Sequence, residues 1–229
     1  MDLLPHITLE TGKSPQHSII WLHGLGADGE DFVPVAQEMH LPVAVRYIFP
    51  HAPMQPVTVN GGYVMRAWYD IAGNDIGAQQ DAAGIRKSQV EIEKLIAQEK
   101  LRGIAAENIF LAGFSQGGAI VLHTGLRHGE RLGGMLALST YLPLSDTLEG
   151  EASPVAKGTP VFMAHGNNDP IVPFILGKKS AEKLGSLGSE IEWHEYAMPH
   201  SLCLEEVRDI EAWLMRRMSS SRLAASAPG

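Results

Sequence analysis

The sequence predicts an α/β fold: a mainly parallel central sheet with helices on both faces and no large cap domain. Three observations carry this expectation. Short apolar or β-branched runs alternate with helical stretches, the pattern of strands joined by crossover helices. Most of those runs are apolar on successive residues instead of every second one, as strands covered on both faces are. A chain of 229 residues, 45% apolar and 19% charged, suffices for one well-buried core, and no Gly/Pro/Ser-rich linker or internal repeat divides it. A single domain is expected over 1–218, with the small, polar, unpatterned stretch 219–229 as a flexible tail.

Taken in order, 7–10 reads as an edge strand and 18–23 as the first buried one. A short helix is expected over 31–39, then a strand over 43–49. The clearest helix spans 79–102, where Ile85, Ile92, Leu95 and Ile96 form an apolar stripe and Lys94, Gln98 and Lys100 lie largely off it. Further strands are expected at 108–114, 135–139, 161–165 and 190–196, with helices opening at Ser115 and near Phe174. The last helix is expected over 205–218, with Val207, Ile210, Trp213 and Leu214 at helical spacing and Arg216 and Arg217 near its negative end.

Eighteen Lys and Arg stand against twenty-six Asp and Glu, a net charge of −8, so a polyphosphate backbone meets repulsion and no nucleic acid partner is expected. Cys203 is the only cysteine, which excludes an intrachain disulfide or a multi-cysteine metal site and fits a reducing compartment. The stretch 1–14 lacks a basic start and a sustained apolar run, and no apolar segment approaches bilayer length. A cytoplasmic protein without stable membrane insertion is expected.

Gly113-Phe114-Ser115-Gln116-Gly117 has the form Gly-x-Ser-x-Gly. So short a pattern arises by chance in Gly-rich chains, but here it stands between a strand run, Ile109-Phe110-Leu111-Ala112, and a helical run that opens at Gly118. A serine on such a turn projects its oxygen above the sheet, and the helix N-terminus behind it favours developing negative charge. Its hydroxyl is a weak nucleophile until a base takes the proton, so a histidine is required. Among ten, His123 and His128 lie along the following helix and point away from its start, and His194 sits within a strand. His200 follows the last strand in a loop, overhanging the C-terminal sheet edge where open α/β sheets place their sites. Asp169, in the turn after 161–165, falls between nucleophile and base in chain order; Asp146 is the competitor, and a simple turn aspartate before Pro170 is the plain alternative. Oxyanion donors are expected from the amides of Gln116 and of Leu25, in the Gly-rich loop after the 18–23 strand. A metal site of His23, His165 and Asp169 is a distant rival without a His-Glu-x-x-His helix behind it, so no metal is expected.

Ile20-Trp21-Leu22-His23-Gly24-Leu25-Gly26, Ala67-Trp68-Tyr69-Asp70, Leu111 through Gly118, Leu138-Ser139-Thr140-Tyr141 and His165-Gly166 through Asp169 together resemble the carboxylesterase and acyl-protein thioesterase family of small α/β-hydrolases. The resemblance covers about 15–217 and is nearest to bacterial carboxylesterases. It implies an α/β-hydrolase fold, Ser115, Asp169 and His200 as catalytic triad, and the Leu25 and Gln116 amides as oxyanion hole. It also implies Trp68, Ile71, Tyr141 and Ile171 along an acyl-binding groove. The implied activity is hydrolysis of a small-molecule ester with a short to medium acyl chain through an acyl-enzyme, with thioesterase or lysophospholipase activity as the alternative for the same triad. No cofactor is implied, and homodimerisation is open to family members. The chain departs from the family pattern at Pro199 and Ser201, where Gly and often Glu flank the triad histidine, which implies a stiffer loop. It departs again at Arg66, where bacterial relatives commonly have Pro.

Overall fold

In the computed structural model, residues 2–73 and 80–225 are described, with side chains through residue 219. Along the described chain run β1 (His6–Glu10), β2 (His17–Leu22), α1 (Val33–Glu38), β3 (Val45–Pro50), β4 (Met54–Val57), β5 (Tyr63–Arg66), α2 (Ala82–Leu101), β6 (Ile109–Phe114) and α3 (Gln116–Gly125). There follow β7 (Gly134–Leu138), α4 (Leu148–Glu151), β8 (Val161–Gly166), α5 (Phe174–Ser186), β9 (Ile191–Tyr196) and α6 (Leu204–Ala225).

Seven strands form one sheet in the order β1, β3, β2, β6, β7, β8, β9, parallel throughout except for the antiparallel edge strand β1. Side chains alternate between sheet faces, so each continuous apolar run feeds two layers. Ile20, Leu22, Ile109, Leu111, Val161 and Met163 join one buried cluster with residues of α2, α3 and α5. Their neighbours Ile19, Trp21, Phe110, Ala112, Phe162 and Ala164 join a second cluster with α1 and α6. Helices therefore cover both faces, as the successive apolar residues required.

α2 starts at Ala82, where Asp81 caps it by accepting from the Gly84 amide (2.9 Å). The expected start at residue 79 lies outside the described residues. Its stripe of Ile85, Ile92, Leu95 and Ile96 is buried as the spacing predicted. Two departures are clear. β4 and β5, anticipated by no periodicity, pair as a separate antiparallel hairpin with Met54 opposite Arg66. The last helix continues to Ala225, so the stretch expected to be a tail from 219 is helical over most of its length: Ser, Arg, Leu and Ala extend a helix already nucleated by packing of Ile210, Trp213, Leu214 and Met218.

No separate cap domain occurs among the described residues. The long connection 139–160 is tied down by Glu151, which accepts from Arg86 (2.7 Å) and Arg127 (2.8 Å), and by the Ser153 amide on the Leu126 carbonyl. No described helix is long and apolar enough to cross a membrane.

Candidate active site

Because β2, β6, β7, β8 and β9 are parallel, the segments after them leave the sheet at one edge; Leu25, Ser115, Tyr141, Asp169, Ile171 and His200 sit there, with Gln116 at the first position of α3, whereas Trp68 and Ile71 lie elsewhere in the chain. Ser115 occupies the turn between β6 and α3 with φ 54° and ψ −121°, a left-handed conformation that side chains rarely adopt. Its amide donates to the Leu138 carbonyl (2.9 Å), and its carbonyl accepts from Thr140 Oγ1 (2.7 Å), so the end of β7 and the loop after it hold the strained turn from both sides. The motif glycines are demanded by crowding. A Cβ at 113 would overlap the Gly117 backbone, and one at 117 would overlap the Leu22 and His23 carbonyls.

Asp169 sits in the loop after β8 with a fully buried side chain. Oδ1 accepts from the Ile171 (2.8 Å) and Val172 (2.9 Å) amides, and Oδ2 accepts from His200 Nδ1 (2.6 Å). With its proton on Nδ1, the His200 ring keeps Nε2 as the free basic nitrogen. The ring packs on Phe114, the residue before Ser115, with centroids 4.6 Å apart. Among the described residues no hydrogen bond joins Ser115 Oγ to His200, a contact that commonly tightens only when substrate is bound. Asp146 is exposed and, among the described residues, its side chain hydrogen-bonds only Ser145 (3.5 Å), so the carboxylate brought to the histidine is Asp169.

The two loops touch through backbone. Asn167 and Asn168 amides donate to the Tyr196 (2.9 Å) and Met198 (3.2 Å) carbonyls, and a Cβ at Gly166 would overlap the Met198 and Pro199 carbonyl oxygens. The Ser201 amide closes on the Pro199 carbonyl (2.9 Å), wrapping a tight turn around His200 that uses the carbonyl of Pro199 and not its missing N–H.

Gly24 lies against the nucleophile turn: a Cβ there would stand 3.6 Å from Ser115 Cβ. The Leu25 amide and the Gln116 amide at the start of α3 have no acceptor among the described residues. The Gln116 side chain is itself committed, accepting from the Trp68 amide (2.8 Å) and donating to the Tyr69 carbonyl (2.8 Å). Of the residues the resemblance places along a groove, Trp68 is 1% exposed with its indole N–H on the His23 carbonyl (2.8 Å), and Tyr141 is buried with its hydroxyl on that of Tyr69 (2.8 Å). Ile71 is half-buried and Ile171 is 57% exposed.

Sequence reasoning missed two supporting histidines. His165 Nε2 bonds the Val172 carbonyl (2.9 Å) and stands 3.4 Å from Asp169 Oδ2; burial lowers its pKa, against the opposing pull of that carbonyl and of Asp169, which favours a neutral ring beneath the carboxylate. His23 lies buried below the Gly-rich loop, and burial lowers its pKa to about 4. No group of three or more His, Cys, Asp or Glu side chains among the described residues converges to hold a metal ion.

A serine held at a strained strand-to-helix turn, with a carboxylate-bound imidazole packed on the preceding Phe114, on this sheet, is the arrangement of an α/β-hydrolase of the serine hydrolase class. The sequence profile of the phospholipase/carboxylesterase family matches residues 6–217, and the chain belongs to that family. Acyl-protein thioesterase 1 of Mycosarcoma maydis is 40% identical over 225 residues, covering 91% of this chain and 94% of its own. That of Emericella nidulans is 42% identical over 219 residues, covering 89% and 91%. Among solved structures, Arabidopsis thaliana SOBER1 matches with a TM-score of 0.84 at 32% identity over 88% of this chain and 99% of its own. Zea mays acyl-protein thioesterase 2 matches with 0.82 at 26% identity over 93% and 99%. These curated relatives are fungal thioesterases, whereas the sequence motifs alone pointed to bacterial carboxylesterases.

Proposed function

We propose that this protein is an acyl-protein thioesterase-like hydrolase that uses Ser115 as nucleophile, His200 as general base and Asp169 as the group that orients the histidine. The observation that carries the reading is the 2.6 Å bond from His200 Nδ1 to a buried Asp169 whose other oxygen is fixed by two amides. That bond leaves Nε2 as the acceptor for the serine proton. Ser115 Oγ attacks the acyl carbonyl as its proton passes to His200 Nε2, and the Leu25 and Gln116 amides receive the oxyanion. Collapse expels the thiol, which takes the proton back from His200. Water then repeats the sequence on the acyl-enzyme and releases the acid. Ile71 and Ile171 supply accessible apolar surface for the acyl chain, while the burial of Trp68 and Tyr141 suits a wall beneath it.

The names of the 40% and 42% identical relatives support a thioester over the short-chain carboxylic ester as the substrate. The test is turnover of S-acylated cysteine peptides and p-nitrophenyl esters of matched acyl length. Hydrolysis of the peptides, lost in Ser115→Ala together with stoichiometric fluorophosphonate labelling, is expected. Ester turnover with no release of thiol would return the assignment to a carboxylesterase.

A further inference from the structure

The His23 imidazole is fully buried behind the loop that carries the Leu25 amide, and both its ring nitrogens are occupied. The Ala52 amide donates to Nε2 (3.0 Å), and an amide only donates, so Nε2 bears no proton and Nδ1 does. Nδ1–H then donates to the Gly24 carbonyl (2.7 Å). In a trans peptide the carbonyl and the following N–H point in opposite directions, so a Gly24 oxygen drawn to the imidazole turns the Leu25 N–H to the other side. The preceding peptide is pinned as well, by the Trp68 indole on the His23 carbonyl, and Gln116 in turn holds the Trp68 amide. The two oxyanion amides, 91 residues apart in sequence, thus share one chain of hydrogen bonds running from Gln116 through Trp68 and His23 to Gly24.

We propose that His23 is a positioning residue for the oxyanion hole: by donating from Nδ1 to the Gly24 carbonyl it aims the Leu25 amide at the substrate's carbonyl oxygen before substrate arrives. It rests on the acyl-transfer reading above and deepens it. His23 touches no reacting atom, so it acts through the loop. Donors already aimed at the developing charge need no reorganisation during the reaction, and the benefit is confined to the transition state.

The two ring nitrogens allow separate tests. The amide nitrogen of Asn overlays Nδ1, and the amide oxygen of Gln takes the place of Nε2 and accepts from the Ala52 amide, so His23→Asn keeps the Gly24 bond while His23→Gln abandons it. His23→Gln is expected to lower kcat about 10- to 100-fold, short of the 10²- to 10³-fold loss when an oxyanion donor is deleted, with KM within about threefold of wild type. His23→Asn is expected to stay within about fivefold of wild-type kcat. Binding of an alkyl trifluoromethyl ketone, which forms a tetrahedral adduct with the serine, should weaken in step with kcat, while affinity for the product fatty acid stays level. Melting temperatures of both variants report a merely structural role. Equal losses in the two variants, the reverse order, or a folded His23→Gln enzyme with wild-type kcat would overturn the assignment. Fluorophosphonate titration separates the two failures: wild-type protein that does not label ends the hydrolase reading, whereas labelling with unchanged kcat in His23→Gln ends only the positioning role.

Discussion

Asp169 commits one carboxylate oxygen to two backbone amides and the other to His200, so its direction is set by its own loop and not by the histidine it serves. Asp169→Asn is expected to keep the loop bonds but replace the acceptor facing Nδ1 with a donor, forcing the other tautomer and removing the basic Nε2. A fall in kcat of about 10⁴-fold with little change in melting temperature is expected, checked by steady-state kinetics on one thioester. Ser115 and Asp169 stood out in the sequence as candidates because each follows an apolar run that reads as a strand, and His200 because it lies in the loop after the more polar run Ile191–Tyr196; parallel strands bring such positions to one edge. The roles of His23 and of the Gln116 side chain were not legible. Their partners are backbone atoms of Gly24, Ala52, Trp68 and Tyr69, and a backbone atom leaves no mark in the residue types, whether it is one residue away or 48. Trp68 is the converse case, since a groove residue implied by resemblance lies buried with its indole turned to the His23 carbonyl.

At the level of elements, the register of β8 and β9 carries the Asp169 and His200 loops to the same height, and Gly166 lets them meet. Gly166→Ala is expected to push the Met198–Pro199 carbonyls outward and draw His200 from Asp169, lowering kcat by at least about 10-fold while far-UV circular dichroism stays that of the wild type. Proline at 199 is tolerated because the joint uses its carbonyl, which every residue type supplies. The inner strands β6, β7 and β8 were legible because burial on both faces imposes unbroken apolar runs, whereas the edge strands β1 and β9 are part-buried and carry polar residues. The β4–β5 hairpin was not, since its four-residue strands are largely exposed and one contains Pro56, so neither alternation nor a continuous run marks it. The extension of α6 past residue 219 escaped notice for the opposite reason: Ser, Arg and Ala permit a helix without announcing one.

Across the molecule, stability is tied to pH through Glu206, fully buried in the first turn of α6 with no side-chain hydrogen-bond partner among the described residues. Burial raises its pKa from 4.5 to about 8, the Cys203 amide opposing and Asp209 adding to the rise. The folded state therefore holds a proton that the unfolded chain gives up near its ordinary value, and stability declines as pH climbs from about 4.5 and levels off above about 8. Glu206→Gln has no such proton to lose. Its melting temperature relative to wild type is expected to rise progressively over that interval, and a constant difference from pH 5 to 9 in calorimetry would contradict the buried carboxyl's role. The two apolar layers lead to a genetic expectation of another kind. Ile20 and Trp21 are adjacent in β2 yet belong to different clusters, so the sheet insulates one layer from the other. Suppressors selected against a damaging change at Ile20 should therefore map to α2, α3 or α5 and spare the layer beneath α6, making each half of the interior separately evolvable.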